Sequence, residues 1–348
     1  MQKLVLITLS LAWLRGEVSL PSLAFDYEGH RLINQLALSA LPEDFPPFVK
    51  TAAARERIAF LGGEPDRWRN SNELPLQHVN GPDHFIDFED LALFELDPRS
   101  VSPFRYEFVA QLARARAAKP ERFPPIDPAR NLDQTRQFMG FLPWTITEHC
   151  AKLKSGFSCL KAYEEAGTPE EMANARENIL YVMGTLGHFV ADAAQPLHTT
   201  RHYNGWVGAN PAGYTTNRTF HSWIDGGFAG KVGQPPVQEL QDRLRAAALP
   251  WTASSGGTNS PVFSTVMAFV LDQHKLVEPL YRLEKDGKLS GDPGTEREGR
   301  IFLEGQYVKA AQMLADLWYS AWRESPPDLF LKGQLAKRKL RSSVDTAP

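Results

Sequence analysis

The chain has 348 residues, 43% of them apolar and 23% charged, with a formal net charge of −3. That length can bury a sizeable core in one large domain or two ordinary ones, and the composition excludes a wholly disordered chain. With no basic excess, high-affinity salt-driven binding to long nucleic acid is not expected, although cutting a phosphodiester does not require it.

The first residues have the layout of a secretory signal. Lys3 precedes the uncharged, mostly apolar run LVLITLSLAWL (4–14), too short to span a bilayer comfortably. PSLA follows, with Ser22 and Ala24 at the small-residue positions of a cleavage site. Residues 1–24 are therefore expected to be a signal peptide, Phe25 the mature amino terminus, and the protein exported to the periplasm or the medium. Arg15 and Glu17 are unusual in such a segment and leave an uncleaved anchor as the alternative.

Beyond Phe25, apolar residues recur at helical spacing, and no alternating run is long enough to promise a sheet. The spacing predicts helices over 29–41, 48–61, 105–118, 141–165 and 169–194, then over 219–228, 236–248, 262–286 and 296–324. The helix beginning at Pro169 has the clearest start, because Thr168 and Glu171 can form a capping box and proline suits the first turn. Long Pro- and Gly-rich loops are expected at 62–83, 119–130, 199–218 and 250–261. Cys150 and Cys159, on one helix, would point about 180° apart and lie about 13 Å apart along its axis, too far for a disulfide. The basic, polar tail from 331 to 348 is expected to be disordered. The simplest account is one all-α domain over 25–330, with long loops around a cleft and no obligate protein partner.

Chemistry concentrates in two short stretches. In GHFVADAAQPLH (187–198), His188 and Asp192 are four apart and share a helix face, Gln195-Pro196 stops the helix, and His198 comes round on the next turn. FHSWIDG repeats the spacing with His221 and Asp225. Imidazole and carboxylate are the usual zinc ligands where thiolates are absent. Either pair alone is more often a surface ion pair or a buried histidine held by its carboxylate.

The order His-x-x-x-Asp, then His in QPLH, then a second His-x-x-x-Asp resembles the zinc-dependent phospholipase C and single-strand-specific nuclease superfamily. Its members are helical enzymes that cleave phosphodiesters with three clustered zinc ions. The 23 residues from His198 to His221, and an aspartate at 225 where the phospholipases have glutamate, look like the nuclease branch. The resemblance implies one zinc on Asp66, His84, His188 and Asp192, a second on Phe25, His30 and the bridging Asp192, and a third on His198, His221 and Asp225. Phe25 would bind through its α-amine and carbonyl. Asp66, Arg69 and Asp192 are the catalytic residues so implied, Arg69 by contacting phosphate. Phe85 and Asp87 in HFID match a base pocket, a ring for stacking and a carboxyl for the base edge. The implied activity is a nuclease using metal-activated water on single-stranded nucleic acid or nucleotides, and the implied state is a monomer. Phospholipase C action on phospholipid head groups and a non-catalytic zinc-stabilised module are the alternatives. The sequence departs from the family in having Phe25 for tryptophan and in a loop, 199–218, that lacks paired glycines followed by asparagine. His78 and His202 are assigned no role.

Overall fold

The computed structural model describes residues 27–233, 236–251 and 260–345, so Phe25, the expected signal peptide and its cleavage site lie outside the described residues. From the amino end run α1 (Tyr27–Ser39), α2 (Ala52–Leu61), α3 (Glu64–Arg69), α4 (Leu74–Asn80), α5 (Arg105–Ala118), α6 (Leu142–Ala166) and α7 (Pro169–Ala194). The short α8 (Phe220–Ser222) continues through a π-helical turn, Trp223–Gly227, into α9 (Phe228–Val232). Then come α10 (Val237–Asp242), α11 (Pro261–His274), α12 (Val277–Lys285), α13 (Arg297–Arg323) and α14 (Leu329–Asp345). The fold is all-α and one domain. A single β-bridge, Ile86 to Gly140, is the only extended pairing among the described residues.

α7 is the organising element. Its capping box is formed, with Thr168 Oγ1 accepting from the Glu171 amide (3.2 Å) and Glu171 Oε2 accepting from the Thr168 amide (2.9 Å). Only Gly167 and Thr168 separate it from α6, so the two pack as an antiparallel hairpin, and α1, α2, α11 and α13 cover the remaining faces. Ile179, Met183, Leu186 and Phe189 of α7 meet Leu153 and Phe157 of α6 and Leu314 and Trp318 of α13, all essentially without solvent contact. Each such side chain contributes about 1.5–3 kcal/mol through burial. A second, smaller core forms beyond the end of α7 from Leu197, Phe220, Ile224, Leu280 and Tyr281. The last turn of α7 and the residues after it lie between the two cores.

The differences from the expected elements have local causes. The expected loop 62–83 contains α3 and α4, whose prolines, Pro65 and Pro75, occupy first-turn positions and so start helices rather than interrupt them. The predicted helix 262–286 divides at Lys275–Leu276 because its two halves serve different cores: Val266 and Val270 face the first, Val277 and Leu280 the second. The helix predicted over 236–248 stops at Asp242, since the amides of Ala247 and Ala248 donate instead to Ala40 O (2.8 Å) and Asp316 Oδ1 (2.9 Å). The tail expected to be disordered is helical through Asp345: Leu335 is buried, and Arg338 pairs with Glu171 (2.6 Å). α6 is unbroken, and Cys150 and Cys159 are both free thiols, as their spacing requires. Among the described residues no helix is long and apolar enough to cross a membrane.

Two glycines set how closely the helices around the site approach. A Cβ on Gly187 would lie 1.6 Å from Asn34 Oδ1, and one on Gly184 2.8 Å from Ile58 O, so α1 and α2 press against bare α7 backbone. Asn34 ties the three helices together by donating from Nδ2 to Ile58 O (2.8 Å) and Gly184 O (3.2 Å).

Candidate metal centre

All the sequence-expected ligands within the described residues converge. Three groups of side chains each bring their ligand atoms within 4.8 Å of one another: His30, His188 and Asp192; Asp66, His84 and His188; and His198, His221 and Asp225. His188 belongs to two of them, so the first two groups are contiguous.

Each ligand is delivered by the local structure just described. α1 carries His30 on the face it presses against α7, where its ring stacks on His188 with centroids 3.9 Å apart. α3 supplies Asp66. His84 ends a 3-10 turn and enters an extended segment pinned on both sides, with Ile86 N donating to His198 O (2.9 Å) and Asp87 N to Met139 O (2.7 Å). Gly140 closes this pairing at φ +100°, and a Cβ there would lie 2.0 Å from Phe85 O. Gln195, extended before Pro196, ends α7 and swings His198 back over the site. His221 and Asp225 sit on α8 and the π-helical turn, an irregularity often found at functional sites.

The geometry fits cations rather than a self-sufficient polar network. His188 Nδ1–H donates to Gly62 O and His198 Nδ1–H to His84 O, both at 2.7 Å, which leaves each Nε2 as a bare lone pair. The His198 lone pair faces His221 Nε2 at 3.0 Å, and the His188 lone pair faces His84 Nδ1 at 2.9 Å. Orientation of a ligating imidazole by a carbonyl acceptor on its other nitrogen is the usual outer-shell arrangement at metals. Asp192 divides its carboxylate: Oδ2 lies 3.0 Å from His84 Nδ1 and 3.3 Å from His188 Nε2, while Oδ1 lies 3.6 Å from His30 Nε2. His30 Nδ1 and His84 Nε2, on the ring sides opposite the nitrogens that face Asp192, are buried without a hydrogen-bond partner among the described residues. Imidazole nitrogens and carboxylate oxygens turned towards one another in this way are a donor set for cations.

Charge states agree with this in the first two groups, whereas in the third burial is outweighed by Asp225, which raises His221. Burial pulls His30 and His188 down to about 4 and His84 well below its usual value, so the imidazoles are neutral and able to ligate at pH 7. Burial opposes charge on Asp66, but His188 and Arg69 outweigh it and hold the carboxyl down at about 2. For Asp225, too, burial is outweighed by the neighbouring His221, 2.8 Å away, and its carboxyl stays below the usual range. Burial raises Asp192.

Around this cluster stand the other expected residues. Arg69 Nε lies 2.9 Å from Asp66 Oδ1, with the side chain still 37% exposed at the mouth. Phe85 and Asp87 are half-buried beside His84. Burial pushes the Asp87 carboxyl well up, and Asp90 and Glu89 push it further. His202 stacks on Trp206 (4.0 Å) and His78 Nδ1–H donates to Asp133 O (2.7 Å), which are structural roles. Sequence reasoning missed Gln195 as a positioning residue. Its Oε1 accepts from Leu197 N (2.6 Å) while its Nε2 donates to Asp225 Oδ1 (2.8 Å). It also missed Tyr203, exposed at the rim with its ring edge-on to His221 at 5.9 Å, because nothing in a loop's sequence fixes where an aromatic lands.

No family model and no curated protein matches the chain.

Proposed function

We propose that this protein is a zinc-dependent phosphodiester hydrolase acting on single-stranded nucleic acid or nucleotides. The observation that carries the reading is the convergence of three His/Asp groups, two of them sharing His188, into one buried centre. Their donors are imidazole nitrogens and carboxylate oxygens without thiolate, a set that suits zinc. Asp66, His84, His188 and Asp192 would hold one ion, His30 and Asp192 together with the amino-terminal Phe25 a second, and His198, His221 and Asp225 a third. Bound zinc supplies a Lewis acid for phosphoryl oxygens and water activated at neutral pH.

The chain's own groups do the rest. Asp192, with one oxygen towards His30 and the other towards His84 and His188, sets the spacing of the first two groups. Arg69, held by Asp66 and open to solvent, presents its guanidinium to a phosphate oxygen and offsets charge that develops there. Gly62 O and His84 O keep the His188 and His198 tautomers correct. Phe85 offers a ring face to a base, and Asp87, its carboxyl pushed well above the usual value by burial, is the group for the base edge. The zinc-loaded protein is expected to hydrolyse single-stranded DNA and RNA in preference to phosphatidylcholine, and to lose that activity in His188→Ala. Turnover of phosphatidylcholine alone, or of no phosphodiester, would overturn the reading.

A further inference from the structure

Away from the metal centre, five arginines line one groove of a chain whose net charge is −3: Arg116, Arg122, Arg130, Arg136 and Arg201, against Asp90 and Asp127. The groove encloses about 600 Å3, and Phe123, Phe138 and Met139 are among its walls. Arg122 is paired with Glu95 (2.6 Å), and Arg201 and Arg130 form longer ion pairs with Asp90 (3.6 Å) and Asp127 (3.7 Å). Arg116 lies over the Phe123 ring at 4.4 Å, and Arg136 Nε donates to Arg130 O at 3.1 Å. Neither forms an ion pair with any described residue, and at Arg116 burial disfavours the charge with no carboxylate to offset it. The chain ties the groove's wall to segments that carry the site residues. Its wall residue Met139 accepts from the Asp87 amide, and Arg201, three residues beyond His198, donates its amide to Glu89 (3.2 Å).

We propose that this groove carries the single-stranded nucleic acid flanking the scissile bond, with phosphates on the arginines and bases against the aromatic walls, so that the substrate is an oligonucleotide. This rests on the phosphodiesterase reading and specifies its substrate. Alternating cationic and aromatic surface is the chemistry by which single strands are held without base readout. A phospholipid head group needs no such run of separated cations, which favours the polymer.

The test uses the full zinc-loaded chain and a fluorescent oligothymidylate of about a dozen nucleotides with cleavage-resistant phosphorothioate linkages. The double variant Arg130→Gln/Arg136→Gln, its fold checked by thermal unfolding, is expected to bind about tenfold more weakly. Its plot of log affinity against log salt should flatten by about 1.4, or about 0.7 for each phosphate that an arginine no longer neutralises. Hydrolysis of a dinucleoside phosphate, too short to reach the groove, should be unchanged. Equal oligonucleotide affinity and salt slope in the two proteins would overturn the proposal even if dinucleotide hydrolysis is robust. Arginine-dependent binding of phosphatidylserine vesicles without oligonucleotide binding would overturn it in favour of a membrane. Arginine-dependent oligonucleotide binding without hydrolysis of any phosphodiester would uphold the groove and remove the enzyme reading instead.

Discussion

Gly187→Ala sets two physical effects against each other. In an isolated helix the change stabilises by about 1 kcal/mol, because alanine loses less backbone freedom than glycine. Here the added Cβ would lie 1.6 Å from Asn34 Oδ1, in a side chain whose Nδ2 is committed to Ile58 O and Gly184 O. Relief requires α1 to retreat from α7 by roughly 1.5 Å, or Asn34 to give up both bonds. Overpacking of this kind costs about 1–3 kcal/mol and each broken buried hydrogen bond about 1 kcal/mol more, so the net effect is destabilisation by roughly 1–4 kcal/mol. His30 lies one turn before Asn34 on the same face of α1, and its Nε2 is 3.6 Å from Asp192 Oδ1. Metal–ligand distances tolerate only about 0.2 Å, so the same retreat should weaken the His30 group by more than tenfold and spare His198, His221 and Asp225. Thermal unfolding of the metal-free protein, paired with zinc titration, reads both effects. Gly333→Ala on α14, where a Cβ meets nothing within 4 Å, is the control and should raise stability. A Gly187→Ala protein as stable as the control, binding zinc like the parent, would refute the link from helix spacing to metal centre.

Arg69→Ala should lower kcat by about 10²–10³-fold with zinc content unchanged, since the role proposed for Arg69 is on phosphate charge rather than on the metal; zinc loss would assign it to the ligand shell. Gln195→Ala should weaken the third group about 10–100-fold by freeing Asp225, measured as competition with a zinc chelator. The metal-free protein should lose stability in acid. His30 and His188 take up protons only near pH 4 when folded but near 6.5 when unfolded, so their contribution is complete above about 6.5 and falls away towards 4. That difference corresponds to roughly 3 kcal/mol for each, read as a falling urea midpoint; a flat profile across that range would contradict the burial of the pair. A form with residues retained before Phe25 should bind less zinc than one beginning at Phe25, because an amide replaces the α-amine; equal zinc content would remove Phe25 as a ligand.

What the sequence made legible was periodic or local. α5 and α7 have the expected bounds, and for α7 the reason is apolar spacing together with a capping box that acts over a few residues. The pairs His188–Asp192 and His221–Asp225 were readable for the same reason, as helix-face neighbours four apart. Approaches between distant segments were not readable. Gly187 against Asn34, Gly62 O against His188, and Gln195 against Asp225 each join residues that no periodicity relates. The tail misled because its basic, polar composition suits both an unpaired strand of chain and a surface helix, and the buried Leu335 decides for the helix.

The clustered histidines and aspartates are proposed to form a polynuclear zinc centre. Metal analysis of the purified chain, with X-ray absorption at the zinc edge, tests it most directly. Three zinc ions per chain are expected at saturation, in nitrogen and oxygen coordination, with His188→Ala losing the ion held with Asp66, His84 and Asp192. Fewer than two zinc ions per chain, or a His188→Ala protein that retains its full complement, would contradict it.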